Sequence, residues 1–135
     1  MRTTAVGNVV VGVDGSRCSL RAVAAAAMEA ERRRVPLRLV YAVHPDDDPG
    51  RIDAIIAGAA RVARYSTTGR SGLVITVTLT DQPPADALLG EAREASVLVL
   101  GEGGAPDKLG PVASQVHREA EGPVVLVPLT TGRAG

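Results

Sequence analysis

Residues Val97 to Val112 read VLVLGEGGAPDKLGPV, and the order of chemistries in this stretch decides the fold. Four apolar residues bounded by turn formers make a short strand buried on both faces. Gly101, Glu102, Gly103 and Gly104 follow as a glycine-rich loop, and Gly110 with Pro111 makes a second turn that opens a helix. A strand, a loop and a helix start in this order create a place where backbone N–H groups can converge on an anion.

The same grammar runs through the rest of the chain. Val6 to Val13 (VGNVVVGV) is β-branched and nearly all apolar, as a central parallel strand requires. Asp14, Gly15 and Ser16 punctuate it. The alanine-rich stretch from about Ser19 to Arg34 is a helix that Ser16 or Ser19 can cap, and it stops before Pro36, which disfavours helical backbone at Val35. Leu37 to Val43 (LRLVYAV) is a second strand, broken by His44, Pro45 and three aspartates. Asp48 and Pro49 start a second helix whose Ile52, Ile55, Ile56, Ala59 and Ala63 share the face that packs on the sheet.

A polar loop, Ser66 to Gly72, leads into a third strand, Leu73 to Thr80. Its alternation of Ile75, Val77 and Leu79 with Thr76, Thr78 and Thr80 gives one wet face and places it at or near a sheet edge. Pro83 and Pro84 open a helix reaching about Ala95. Val97 to Leu100 is the fourth strand, Val112 to Glu121 the last helix, Val124 to Val127 the fifth strand, and Thr130 to Gly135 a frayed tail. Strands alternating with helices imply right-handed crossovers and an α/β, doubly wound parallel sheet. In such sheets ligands bind beyond the carboxyl ends of the strands, where strand order reverses. Those ends are residues 13–16, 43–48, 80–82 and 101–104. At 135 residues, without linker or repeat, one domain over 1–135 is expected, with its core at about 6–128.

Composition narrows the function. The chain is 45% hydrophobic and 22% charged, with 15 acidic and 15 basic side chains, so no general electrostatic pull toward nucleic acid or an anionic membrane exists. Aromatic content is 1%, which leaves no series of rings to stack unpaired bases. A single cysteine, Cys18, forbids an internal disulfide and fits a reducing compartment. It reads as a small core residue, with a reactive thiol near a helix start as the alternative. The N-terminus reaches a strand without a long apolar leader, and no apolar run approaches about 18 residues, so the protein is expected in the cytoplasm.

Asp14, at the end of the first strand beside Gly15 and Ser16, can accept hydrogen bonds from a base or a ribose; the alternative is a capping aspartate in a tight turn. His44 with Asp46, Asp47 and Asp48 reads as a solvated acidic loop, because neighbouring loop residues rarely converge on one metal ion without a distant ligand. His117 reads as a surface residue of the last helix. No nucleophile elbow and no serine, histidine and acid arrangement stands out, so no catalytic residue is assigned. The glycine loop completes neither common phosphate-binding signature.

Together these residues resemble the universal stress protein family from about Val9 to Val127. VVVGVDGS is similar to the family's opening, with an aspartate at Asp14, and LRLVYAV to its strand leading into an adenine pocket, which places Ala42 and Val43 near the base. Leu109-Gly110-Pro111-Val112 precedes a helix that ends in Gly122-Pro123-Val124-Val125-Leu126-Val127. The resemblance implies a three-layer fold with a five-stranded parallel sheet in order 3-2-1-4-5, a regulatory or protective role, and a homodimer through the last strand, Pro123 to Pro128. It implies an adenine-nucleotide site, ATP with Mg²⁺ in its full form, at Val13, Asp14, Val43, Gly101, Gly104, Gly110 and Val112, with no metal ligand from the protein.

The chain departs from the family's ATP-binding pattern in three ways: five residues instead of about nine separate Gly104 from Gly110, Pro111 replaces a serine or threonine, and Ala113 replaces a second small hydroxyl residue. Pro111 lacks both N–H and hydroxyl, while Glu102 and Asp107 add negative charge that Lys108 offsets poorly. A weakened or vestigial site is therefore expected. The alternatives are an ATP-using enzyme of the related adenine nucleotide alpha hydrolase group, whose serine- and glycine-rich loop VDGSRCS supplies only in part, and a ligand-free dimeric interaction module.

Overall fold

Val9, Val10 and Val11 are almost wholly buried, and so are Val97, Leu98, Val99 and Leu100; two such runs can lie only in the middle of a sheet covered on both faces. In the computed structural model, which describes residues 7–68, 72–102 and 110–128, they pair side by side. The chain runs β1 (Val9–Gly12), α1 (Arg17–Arg33), β2 (Leu37–Ala42), α2 (Pro49–Tyr65), β3 (Ile75–Thr80), α3 (Pro84–Ala92), β4 (Val97–Gly101), α4 (Pro111–Glu119) and β5 (Val124–Val127). The sheet is parallel in the order β3-β2-β1-β4-β5, as the resemblance implied, with Val9 level with Leu37 on one side and with Val97 on the other. The expected frayed tail, 130–135, lies outside the described residues.

The sheet divides the core in two. Val9, Val11, Leu37, Leu39, Val97 and Val99 face α1 and α2, whereas Val10, Val40, Leu98 and Leu100 face α3 and α4. Helix α1 meets the sheet through Ala22, Val23, Ala26, Ala27 and Ala30, all fully buried. A stripe of small side chains lets the helix axis approach the strands closely, and added methylenes there overpack the core. Ser16 caps α1 by accepting from Ser19 N–H at 3.1 Å, and Arg34, in the left-handed region at φ 61°, ends it by donating its N–H to Ala30 and Glu31 carbonyls.

The α2 residues Ile55, Ala59 and Ala63 join the core over this face of the sheet, as expected, and α2 packs most extensively against α1. One expectation is corrected. Strand β3 is an edge strand, but its wet face is the apolar one: Val77 and Leu79 are 43% and 54% exposed, while Thr76, Thr78 and Thr80 are half-buried. The cause is a polar network on the α3 side, where Arg38 donates to Thr78 Oγ1 at 2.8 Å and pairs with Glu91 at 3.6 Å. The threonines therefore face inward, while Val77 and Leu79 stay exposed on the other face.

The loop after β2 is ordered by its acids. Asp47 Oδ2 accepts from Tyr41 Oη and from His44 N–H, both at 2.8 Å, and Asp48 Oδ2 caps α2 by accepting from Arg51 N–H at 3.1 Å. The His44 N–H and the Tyr41 hydroxyl hold the Asp47 carboxyl below its ordinary value of 3.8. A carboxyl lowered by folding stabilises the fold above its ordinary value and loses that contribution as pH falls through the lowered one. The stability gap between wild type and Asp47→Ala is therefore expected to be widest at neutral pH and to close on acidification below about 4; a gap independent of pH contradicts this role. A second expectation concerns Gly101, where a Cβ would fall 2.5 Å from Cys18 Sγ and 2.9 Å from the Cys18 carbonyl oxygen. Gly101→Ala should lower the urea-unfolding free energy by about 1–3 kcal/mol, and an unchanged midpoint would show that α1 does not need this approach.

Candidate functional site

Strand order reverses between β1 and β4, since β2 lies on one side of β1 and β4 on the other. Crossovers leave that point in opposite directions, so the loops after β1 and β4 diverge and open a crevice. A cavity of about 320 Å³ occupies it, within the range of small-ligand sites. Gly12, Val40 and Leu100 form its floor, Ala87 and Leu88 of α3 one wall, the starts of α1 and α4 the others.

The turn after β1 is held by its own side chains. Asp14 Oδ1 accepts from Ser16 N–H at 2.9 Å, Asp14 N–H donates to Ser19 Oγ at 3.3 Å, and Ser19 Oγ donates to the Ser16 carbonyl at 3.1 Å. Gly15 takes φ +86°, and a Cβ there would also crowd Ile55 at 3.1 Å; only glycine fits without strain. Of the two jobs weighed from sequence, Asp14 does the turn-holding one. One carboxylate oxygen fixes the turn, and the exposed side chain still borders the cavity.

The opposite rim is the start of α4. Glu102 N–H donates to the Val127 carbonyl at 2.9 Å and the Glu102 carbonyl accepts from Gly110 N–H at 2.7 Å, which ties the end of β4 to β5 and to the cap of α4. Gly110 caps without a side chain, Pro111 has no N–H, and Ser114 N–H already bonds the Gly110 carbonyl at 2.9 Å. Helix geometry leaves the N–H groups of Val112 and Ala113 as the donors this terminus can offer, and both residues border the cavity. Charge opposes them: among the described lining residues Asp14 and Glu102 carry the only formal charges, both negative.

The structure brings Val13, Asp14, Gly101, Gly110 and Val112 together around the cavity. Val43 stands apart: it is half-buried, its N–H donates to the Thr80 carbonyl at 2.7 Å, and Ala42 borders the cavity in its place. Gly104, in 103–109, lies outside the described residues. His117 is exposed on α4, and Cys18 is buried beneath Gly101 at the cavity's edge. Sequence reading named Ser19 only as a possible cap, missing its place on the cavity, and missed the α3 wall. A serine three residues into a helix is a signal for the first; for the second the stretch Ala87-Leu88 carries none, because only the crossover shows which strand ends the helix overlies. A larger hollow of about 630 Å³ lies at the other end of the sheet. On its rim Glu31 Oε2 accepts from Thr68 N–H and Oγ1 at 3.1 and 2.7 Å.

Residues 6–128 match the model of the universal stress protein family. Universal stress protein Rv3134c of Mycobacterium tuberculosis strain H37Rv is 34% identical over 132 residues, an overlap of 88% of this chain and 47% of the relative. Universal stress protein Rv2028c of the same strain is 30% identical over 132 residues, with 89% and 47% covered; the chain thus spans about half the length of the curated relatives it matches. Among solved structures, a universal stress protein in complex with cAMP superposes with a TM-score of 0.78 at 32% identity, covering 94% of this chain and 100% of that one. The universal stress protein of Archaeoglobus fulgidus in complex with dAMP superposes with a TM-score of 0.71 at 25% identity, covering 91% and 98%. With the family model spanning nearly its whole length and the same sheet order, the chain belongs to the universal stress protein family.

Proposed function

We propose that the chain is a single universal stress protein domain, 1–135 with its core at about 6–128, which binds an adenine nucleotide weakly at the β1/β4 crevice and works by binding, without turnover. The observation that carries this reading is the pairing of an apolar-floored cavity with two opposed polar rims, the Asp14 turn and the start of α4. The cAMP and dAMP complexes of two related proteins support an adenine ligand. Val40, Leu88 and Leu100 offer a surface for the base, Asp14 a free carboxylate oxygen for the ribose hydroxyls, and the Val112 and Ala113 N–H groups a phosphate cradle.

The donor count sets the strength. A hydrogen bond to a charged group is worth about 1.5–3 kcal/mol, so the missing N–H and hydroxyl at Pro111 together cost roughly two to four orders of magnitude in affinity. ATP, with Mg²⁺ to neutralise it, is the weaker ligand of this site. In this reading the role is regulatory or protective and is carried out in the cytoplasm. β5 is an open edge with Val125 46% exposed. Such an edge needs cover, and a second copy pairing along residues 123–128 supplies it in a homodimer.

Isothermal titration should give a Kd for AMP of roughly 10–1000 µM, with the nucleotide recovered intact, and Asp14→Ala should weaken it at least about fivefold. Absence of heat at millimolar AMP, or its conversion to product, overturns this reading. Sedimentation at tens of micromolar should show a dimer that Val125→Lys shifts to monomer; a monomeric wild type removes the proposed β5 interface.

A further inference from the structure

We infer that Glu102 makes this cavity a filter for low phosphate charge, favouring an adenine ligand with one phosphate over the same nucleoside with three. The inference rests on the nucleotide-site reading above and names the ligand class within it. Glu102 borders the cavity, and its main chain is fixed at both ends, through the Val127 carbonyl at 2.9 Å and Gly110 N–H at 2.7 Å. That second bond ties the Glu102 backbone to the cap of α4, and Glu102 borders the same cavity as Val112 and Ala113. Its side chain is half-buried, and among the described residues no arginine or lysine forms an ion pair with it.

Magnitudes decide the consequence. A helix N-terminus acts as roughly half a positive charge, and the Glu102 carboxylate on the same cavity is a full negative one. Among the described lining residues the balance is therefore negative before any ligand arrives. Asp14, on the other rim, adds to it and carries no positive partner among the described residues. A phosphate monoester brings about two negative charges at neutral pH, and each added phosphate increases the repulsion in a half-buried site where charges are poorly screened. Two N–H donors can hold one phosphate; the second and third find no cation among the described lining residues. A serine or glutamine at position 102 would leave the same backbone bonds and remove the repulsion.

The test is titration calorimetry of adenosine, AMP and ATP, in low salt with a chelator, against wild type, Glu102→Gln, Glu102→Ser and Glu119→Gln. Glu119 is exposed at the far end of α4 and controls for net charge. Wild type should bind AMP at least about fivefold tighter than ATP. Both Glu102 variants should tighten ATP about tenfold, AMP about threefold and adenosine not at all, while Glu119→Gln keeps the wild-type order. Raising salt to about 0.5 M should narrow the wild-type gap. Equal wild-type affinity for AMP and ATP, or the same change for all three ligands in the Glu102 variants, overturns the filter while leaving the nucleotide site standing. No binding of any of the three to wild type overturns the site reading and the filter with it.

Discussion

The close approach of the start of α1 to the end of β4 is the constraint on which the site depends. Gly101 has no side chain because Cys18 lies where one would be, and the buried alanine stripe along α1 keeps the helix at that distance over its whole length. Close packing of this kind fixes the helix without strong directional bonds. It also sets the geometry of the crevice, because the Asp14–Ser16 turn precedes α1 and Glu102 follows β4. Moving the helix outward by even one methyl group would separate the two rims that face each other across the cavity.

The cavity inherits its chemistry from the turns on either side. Its floor is apolar because β1, β2 and β4 are central strands, and its polar atoms come from three places where the backbone leaves regular structure: Asp14, Glu102 and the cap of α4. Two of these are acidic and the third is weakened by Pro111. The site therefore keeps the shape of an anion-accepting crevice with little of the positive charge such crevices use. The outcome we infer is selectivity through repulsion, in which the scaffold admits a ligand and the rims limit how much charge it carries.

Much of the fold was legible because its signals are local. The buried runs of β1 and β4, the Asp48-Pro49 helix start, the stop before Pro36 and the Gly122-Pro123 break each depend on a few adjacent residues, and each element lies within a few residues of its expected place. Long-range features were less legible. The alternation in β3 located the edge but not which face is wet, because Arg38 on β2 and Glu91 on α3 draw the threonines inward. The position of Val43 depended on a one-residue difference at the end of β2, which turns a side chain to the other face. Leu88 entered the site through a crossover that no local pattern reveals.

The account's central claim is that the β1/β4 crevice is where an adenine nucleotide binds. Titrating AMP into isotopically labelled protein and following backbone amide resonances tests it most directly. The account predicts saturable, fast-exchange shifts concentrated at Val13, Asp14, Gly101, Val112 and Ala113, with the amides of Val74 and Leu73 at the opposite end of the sheet unmoved. Shifts centred on that opposite hollow, or none at millimolar AMP, would contradict it.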